Sequence, residues 1–149
     1  MSNDKSTNVE SPNTRASATR GPATLEYTHI YADKDGISHF RQAEMPFKPV
    51  PVPGMDDPPG AARIDSLPGA AFLRLAPGQV EDWHPAPRSV FLIAIQGRSR
   101  VTVGDGAVKE FGPGEMVLMD DTIGKGHLTE PVGDVAHVAL IVPVAPDDT

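Results

Sequence analysis

The fold of this chain is constrained most by a regular succession of short apolar segments separated by glycine and proline turns. From Ala70 to Val144, turns such as Pro77-Gly78 and Gly104–Gly106 recur roughly every 8 to 12 residues, a spacing typical of a sandwich or barrel. The segments between them contain many β-branched residues, as strands do. No segment longer than two helical turns has helical periodicity. The sequence therefore predicts an all-β domain, with strands at Ala70–Leu75, Arg88–Ile95, Arg100–Val103, Val108–Phe111, Met116–Met119 and Val135–Val144.

The amino-terminal part of the chain differs sharply in composition from the rest. Residues 1–23 are almost entirely small, polar or charged, so they cannot bury enough apolar surface to offset the entropy of ordering. We predict a disordered tail over 1–23 and one domain over 24–149. Strand-like residues at Leu25–Tyr31 and Ile37–Phe40, with the turn Asp33–Gly36 between them, predict an amino-terminal hairpin. The prolines of Pro46–Pro59 exclude a helix and predict an extended connector.

Charge and composition narrow the classes of partner. The formal net charge is -7, and the chain has no cluster of Lys and Arg that could neutralise phosphates, so we expect neither nucleic acid nor a membrane surface as a partner. With no cysteine, disulfides, thiolate zinc sites and thiol nucleophiles are excluded. No apolar run resembles a signal peptide or a membrane span. We expect a cytoplasmic protein whose partner is a small-molecule ligand.

Two histidines in the regular part of the chain are candidates for chemistry. His84 precedes one apolar strand and His127 follows another, so they lie on separate strands of one predicted barrel. Histidines that meet inside a barrel can bind a metal or transfer a proton. We therefore predict a catalytic or metal-binding role for both, with hydrogen-bonded structural histidines as the alternative.

An arginine close to His84 is a candidate for substrate binding. If the strand is continuous, positions 84, 86, 88 and 90 share one face, so Arg88 points inward whenever His84 does. An inward arginine needs a partner, either a carboxylate or an anionic group of a ligand. The candidate carboxylates are Asp82, Asp120 and Asp121.

Four other residues are predicted to contact the substrate. Trp83 is expected either to line a pocket or to fill the core. Asp120 and Asp121 end an apolar strand, where acidic residues also commonly open a loop. Lys125 stands between two glycines and can reach an anion, although a solvated lysine is the commoner arrangement.

The order of these elements resembles the cupin family of small jelly-roll barrels, over Ala70–Val144. The shared features are Pro-Gly, then His, an apolar strand ending in Gly, a hairpin, Gly-Pro-Gly followed by an acid, another apolar strand, and His. In the first cupin motif His84 takes the place of the first histidine, whereas Ala86 and Val90 stand where the second histidine and the glutamate are usual. His127 takes the place of the histidine of the second motif. The resemblance implies a double-stranded β-helix fold.

The resemblance also bears on cofactors. It implies either no cofactor or one divalent ion of iron, manganese, nickel or zinc, held by His84 and His127. Two imidazoles alone bind such an ion weakly, and the residues at 86 and 90 favour metal-free chemistry. Any third ligand has to come from irregular or terminal segments: Asp82, Asp120, Asp121, His29 or His39.

The leading hypothesis is a cupin-type enzyme that acts on a small polar or anionic metabolite by proton transfer, as an isomerase, dehydratase or lyase does, with or without a metal. His84 or His127 is the expected base, and Arg88 the group that fixes the anionic end. The alternatives are a non-catalytic small-molecule-binding cupin and a metal-dependent dioxygenase. We also expect a homodimer, because small cupin domains expose sheet edges to which Tyr27–Phe40 can add strands.

Overall fold

The structure is a computed structural model that describes residues 24–145. The tail predicted over 1–23 and the last four residues of the predicted domain lie outside the described residues. The described residues form twelve strands: β1 (Thr24–Ala32), β2 (Ser38–Pro46), β3 (Lys48–Pro49), β4 (Gly60–Ala61), β5 (Ala71–Leu75), β6 (Glu81–His84), β7 (Val90–Gln96), β8 (Arg98–Thr102), β9 (Val108–Phe111), β10 (Met116–Asp120), β11 (His127–Val132) and β12 (His137–Pro143). Within this range, no helix is long and apolar enough to span a membrane.

The last eight strands have the topology of a jelly roll. Strands β5, β12, β7 and β10 lie side by side in one sheet, and β6, β11, β8 and β9 lie side by side in the other. The chain passes from sheet to sheet between successive strands, except at the β8–β9 hairpin. This strand order, with antiparallel pairs throughout the eight strands, is that of two interlocked Greek keys. The all-β jelly-roll prediction is therefore confirmed.

The amino-terminal hairpin widens the first sheet to six strands. β1 pairs with β10 in parallel, with His29 opposite Leu118, and β2 pairs antiparallel with β1. β2 is longer than the predicted Ile37–Phe40 and continues to Pro46, because every residue of β1 finds a partner on it. Beyond it, the proline-rich connector is extended and holds only the short pair of β3 and β4.

The core lies between the two sheets and draws on both. It contains Ile30, Leu92 and Val117 from the six-stranded sheet, packed with Val101 and Phe111 from the four-stranded sheet. Residues alternate between this interior and the outside along each strand, as the period of two requires. The interior of the jelly roll is consequently apolar, except where the sequence puts a polar residue on an inward position.

The strand predicted through Arg88 to Ile95 is shorter than expected at its start. β6 ends at His84, β7 begins at Val90, and the residues between them carry the chain from one sheet to the other. Pro85 and Pro87 have no N–H to donate to a ladder, so regular pairing stops here. The crossing is held instead by the Ala86 N–H, which donates to the Asp121 carbonyl.

Candidate functional site

A cavity of about 270 Å³ lies inside the jelly roll, between the two sheets. This volume is near the lower end of the range for small-molecule sites, which begins at roughly 300 Å³. Apolar side chains make most of its wall, among them Leu73, Leu92, Val101, Phe111, Met119 and Ile141. A minority of polar residues also line it: Glu81, His84, Arg88, Ser99, His127, Thr129 and His137.

His84 and His127 meet in this cavity. They are register partners on the antiparallel pair of β6 and β11, and their ring centroids are 5.1 Å apart. The approach of the two strands depends on Gly126, which has a φ of +77° and lies so close to the His84 backbone that a Cβ would overlap the His84 carbonyl. Glycine is therefore required at the residue that brings the two imidazoles together.

His127 is oriented by a buried carboxylate. Its Nδ1 lies 2.6 Å from Oδ2 of Asp121, and both side chains are almost completely inaccessible to solvent. A carboxylate accepts hydrogen bonds, so Nδ1 carries a proton and donates it to Asp121. In the unprotonated ring, the lone pair is then on Nε2. This arrangement is the one that prepares a histidine to act as a base.

His84 is held between two acceptors. Its Nδ1 lies 2.7 Å from the carbonyl of Asp82, and its Nε2 lies 2.8 Å from Oε1 of Glu81. A carbonyl only accepts, so Nδ1 carries a proton. The contact between Nε2 and Glu81 then needs one further proton, carried by either partner. A proton held between these two side chains would lie at the wall of the cavity.

A third histidine lines the cavity without a partner. His137, on β12, is 1% exposed, and neither of its ring nitrogens has a hydrogen-bond partner among the described residues. Burial lowers the pKa of His137 below the usual value of an imidazole, and the nearby Gln96 backbone and the charge of Glu81 offset this only in part. His137 is therefore a neutral group with one unused donor and one unused acceptor.

Arg88 lines the cavity, but its partner is not one of the predicted carboxylates. Its Nη2 donates to the carbonyl of Pro68 at 2.7 Å. Asp121 bonds to His127 instead, and Asp82 accepts a hydrogen bond from the Trp83 N–H. Arg88 is exposed, so water and one carbonyl satisfy it without an ion pair.

Trp83 and Lys125 come together outside the cavity wall. The Nζ of Lys125 lies 4.0 Å from the centroid of the Trp83 ring, a cation–π contact, and neither side chain is among the residues that line the cavity. Trp83 neighbours His84 on β6, where adjacent residues face opposite sides. The predicted substrate contacts of these two residues therefore have no support from their positions.

The remaining histidines and Asp120 belong to separate hydrogen-bonded clusters. His29 is buried, and its Nε2 lies 3.0 Å from Oδ2 of Asp120, while Oδ1 of the same carboxylate accepts a hydrogen bond from the Ser89 hydroxyl. His39 lies between Asp33 and Asp105, at 2.8 Å from each. None of these side chains lines the cavity, so neither His29 nor His39 supplies a third imidazole.

The residues of the cavity do not fit the divalent metal that the family resemblance implies. Among residues 24–145, no group of three or more His, Asp or Glu side chains is arranged to hold an ion. The Nε2 of His84 is engaged by Glu81, and alanine and valine occupy positions 86 and 90. With fewer than three converging ligands, a metal site is not formed in this arrangement.

No protein-family model and no curated protein matches this chain. Several solved structures are similar to it. A protein of unknown function from Rhizobium leguminosarum has 20% identity and a TM-score of 0.43, with 89% of this chain and 92% of that chain covered. The Cnp3 cupin domain of Schizosaccharomyces pombe has 9% identity and a TM-score of 0.42, with 87% and 88% covered. A conserved protein of unknown function from Streptococcus pyogenes has 20% identity and a TM-score of 0.42, with 59% and 72% covered.

Among the titratable residues of the cavity wall, Glu81 and His137 were not predicted from the sequence. His137 interrupts the apolar run from Val135 to Val144, and a single histidine on the inward face of such a run is a signal that the sequence does contain. Glu81 has no such signal. Its approach to His84, three residues later, requires the irregular pairing between β6 and β11, which only the structure shows.

Proposed function

We propose that the protein catalyses proton transfer at a carbon next to a carbonyl group, in a small molecule bound inside the jelly roll. The observation that carries this proposal is the pairing of a base with a proton donor. His127 is fixed by Asp121 with Nε2 as its unprotonated nitrogen, and the ring of His84, which shares a proton with Glu81, lies 5.1 Å away. A base and an acid close together, here on neighbouring strands, are what enolisation requires.

The step that this arrangement supports is balanced within the site. His127 Nε2 takes a proton from the carbon, and the electron pair of the broken C–H bond forms the carbon–carbon double bond of an enol. The carbonyl oxygen receives the proton shared by His84 and Glu81. Asp121 stabilises the imidazolium that His127 becomes, as a carboxylate does behind a catalytic histidine. Return of a proton to the same or a neighbouring carbon completes an exchange or an isomerisation.

The test is hydrogen–deuterium exchange, which needs no knowledge of the natural substrate. The protein is incubated in D₂O with cyclohexanone, phenylacetone and pyruvate in turn, and loss of the C–H signals is followed by proton NMR. We expect exchange of at least one compound above the buffer rate. His127→Gln should slow it by about 100-fold or more, the usual contribution of a general base.

His39→Gln is the matched control, because it makes the same substitution at an imidazole outside the cavity. Exchange should continue in this variant at close to the original rate. Exchange that is insensitive to His127→Gln contradicts the assignment of the base. Absence of exchange for all three compounds contradicts the catalytic proposal for this class of carbonyl compound.

A non-catalytic binding protein is the second candidate, and the apolar wall of the cavity favours it. Such a wall supplies affinity through burial, with few polar groups needed to orient a ligand. Binding of the same compounds without exchange would support this candidate. The dioxygenase hypothesis depends on a metal that the cavity residues do not fit.

A further inference from the structure

We infer that His137 is a specificity-determining residue that selects ligands with an uncharged hydroxyl or carbonyl group at the end of the cavity where β12 begins. The inference rests on the proposed function only in that the cavity takes a small molecule; it does not require that the molecule react.

The first observation is the unsatisfied hydrogen-bonding capacity of His137. It is a buried polar side chain in the cavity wall, and neither ring nitrogen makes a hydrogen bond of good geometry among the described residues, although the Gln96 backbone lies near enough to raise the pKa of the ring. Buried polar groups are nearly always paired, so an orphaned imidazole facing a cavity indicates that the partner is a bound molecule. A hydroxyl matches the neutral ring, because it can donate to one nitrogen or accept from the other, and a carbonyl can accept from the N–H.

The second observation is the charge around this end of the cavity. His137 is neutral because it is buried, so it offers a ligand no positive charge. Glu81 is the acidic group whose charge acts on His137, and it raises the pKa of that ring. An anionic group would therefore lose its solvation with no positive charge on His137 to compensate for it, whereas an uncharged group loses less.

The cationic group of the cavity is remote from His137. Arg88 lies against Gly69, which is also close to Pro143, and Pro143 is six residues from His137 along β12. At about 3.3 Å per residue these two ends of the strand are about 20 Å apart. If a ligand has an anionic end, Arg88 is the group suited to it, and the group recognised by His137 is uncharged.

Three compounds of the same ring size test this inference: toluene, benzyl alcohol and benzoate. An apolar cavity of about 150 Å³ holds benzene, so this cavity has room for a substituted ring. Dissociation constants are measured by NMR titration of the unmodified protein, His137→Leu and the control His39→Leu. We expect benzyl alcohol to bind at least tenfold more tightly than benzoate. The dissociation constant of toluene divided by that of benzyl alcohol should fall at least tenfold in His137→Leu, because the hydroxyl group loses its partner. The same ratio should stay unchanged in His39→Leu.

A second measurement uses only the unmodified protein, so it is independent of any effect of the substitution on folding. Long-range proton–nitrogen spectra should show the His137 ring nitrogens shifting with benzyl alcohol and not with toluene. Three results would each overturn the inference. Benzoate binds most tightly of the three compounds, the ratio of the toluene to the benzyl alcohol dissociation constant changes less than threefold in His137→Leu, or none of the three compounds binds. Binding that depends on His137 in a protein that catalyses no exchange supports the inference and removes the proposed catalysis.

Discussion

At the scale of single residues, the chemistry of the cavity depends on which atom of each histidine carries a proton. Asp121 fixes the proton of His127 on Nδ1, and the Asp82 carbonyl fixes one on Nδ1 of His84. The two rings differ in what faces Nε2, since His84 has Glu81 there and His127 has no protein partner among the described residues. Two residues of one type therefore have different roles because their hydrogen-bond partners differ.

The substitution Asp121→Asn tests this division of roles. The amide can still accept a hydrogen bond, so we expect little change in the free energy of unfolding. The amide carries no charge, so it does not stabilise the imidazolium of His127. Its NH₂ group can donate to Nδ1, which favours the tautomer with the proton on Nε2, and that nitrogen is then no longer a base. The exchange rate should therefore fall by about 100-fold or more.

The measurements are the deuterium exchange assay and urea denaturation. Asp105→Asn is the matched control, because it changes a carboxylate that bonds to a histidine outside the cavity. An exchange rate in Asp121→Asn close to that of the unmodified protein would show that Asp121 does not orient the base.

At the scale of elements, the site is assembled by the close pairing of β6 with β11. Gly126 stands at the start of β11, and its positive φ and the nearby His84 carbonyl leave no room for a side chain. Gly78 also has a positive φ, at +80°, but a Cβ there would meet no atom within 4 Å. Alanine substitutions at the two glycines can therefore be compared. Both introduce backbone strain, and only the substitution at Gly126 adds steric overlap.

We expect Gly78→Ala to cost about 1 kcal/mol of stability, the strain of a left-handed residue. Gly126→Ala should cost about 3 kcal/mol, because overlap with the β6 backbone adds to that strain. Urea denaturation of both variants measures the difference. Equal costs would mean that the β6–β11 approach is not tightly constrained.

Two turns on the outside of the molecule are joined by His39. It bonds to Asp33 in the turn after β1 and to Asp105 in the turn after β8. These two hydrogen bonds raise the pKa of His39, and the bond to Asp33 has the larger effect. The bond from His39 is also the main cause that lowers the pKa of Asp33, whereas for Asp105 the Ala107 N–H contributes more than His39 does.

This cluster predicts a pH-dependent contribution to stability. The contribution of His39 to the free energy of unfolding is fully present below the pKa of the unfolded state, about 6.5. It is lost as the pH rises through the raised pKa of His39 in the folded state. The contribution of the Asp33 and Asp105 carboxylates to the free energy of unfolding is fully present above about pH 3.9. It is lost as the pH falls through their lowered pKa values. The Tm difference between the unmodified protein and His39→Gln should therefore be larger at about pH 5.5 than at about pH 9. Thermal unfolding at both values checks this, and a larger difference at the higher pH would contradict it.

At the scale of the whole molecule, the wide sheet has two edge strands, β2 and β5. Unpaired edges favour association of one chain with another, so the homodimer expected from the sequence stays a prediction. On β5, Phe72 is 73% exposed, an unusual position for a large aromatic ring.

Light scattering at high micromolar concentration should give the mass of a dimer, and Phe72→Glu should shift the mass toward that of the monomer. Val108→Glu is the matched control, because Val108 is an exposed apolar residue on an edge strand of the other sheet. A monomeric mass for the unmodified protein would contradict the dimer.

Much of the fold could be predicted because it depends on local patterns. Strand β9 has the predicted bounds Val108–Phe111, and β5, β10 and β12 lie within one or two residues of their predicted positions. Turn glycines and alternating apolar residues encode these elements directly. The inward placement of His84 does not follow from the apolar strand after it, because His84 lies on β6 and that strand, β7, belongs to the other sheet.

The composition of the site depends on contacts between residues far apart in the chain. Alternation along one strand cannot show that Asp121 serves His127 while the adjacent Asp120 serves His29, because that choice depends on which strand packs behind each carboxylate. Likewise, His137 reaches the cavity only because β12 lies between β7 and β5 in the sheet. The sequence by itself determined most of the strands and their turns. Only the tertiary structure decided the hydrogen-bond partners, because hydrogen bonds act over a few ångströms and the residues they join are distant along the chain.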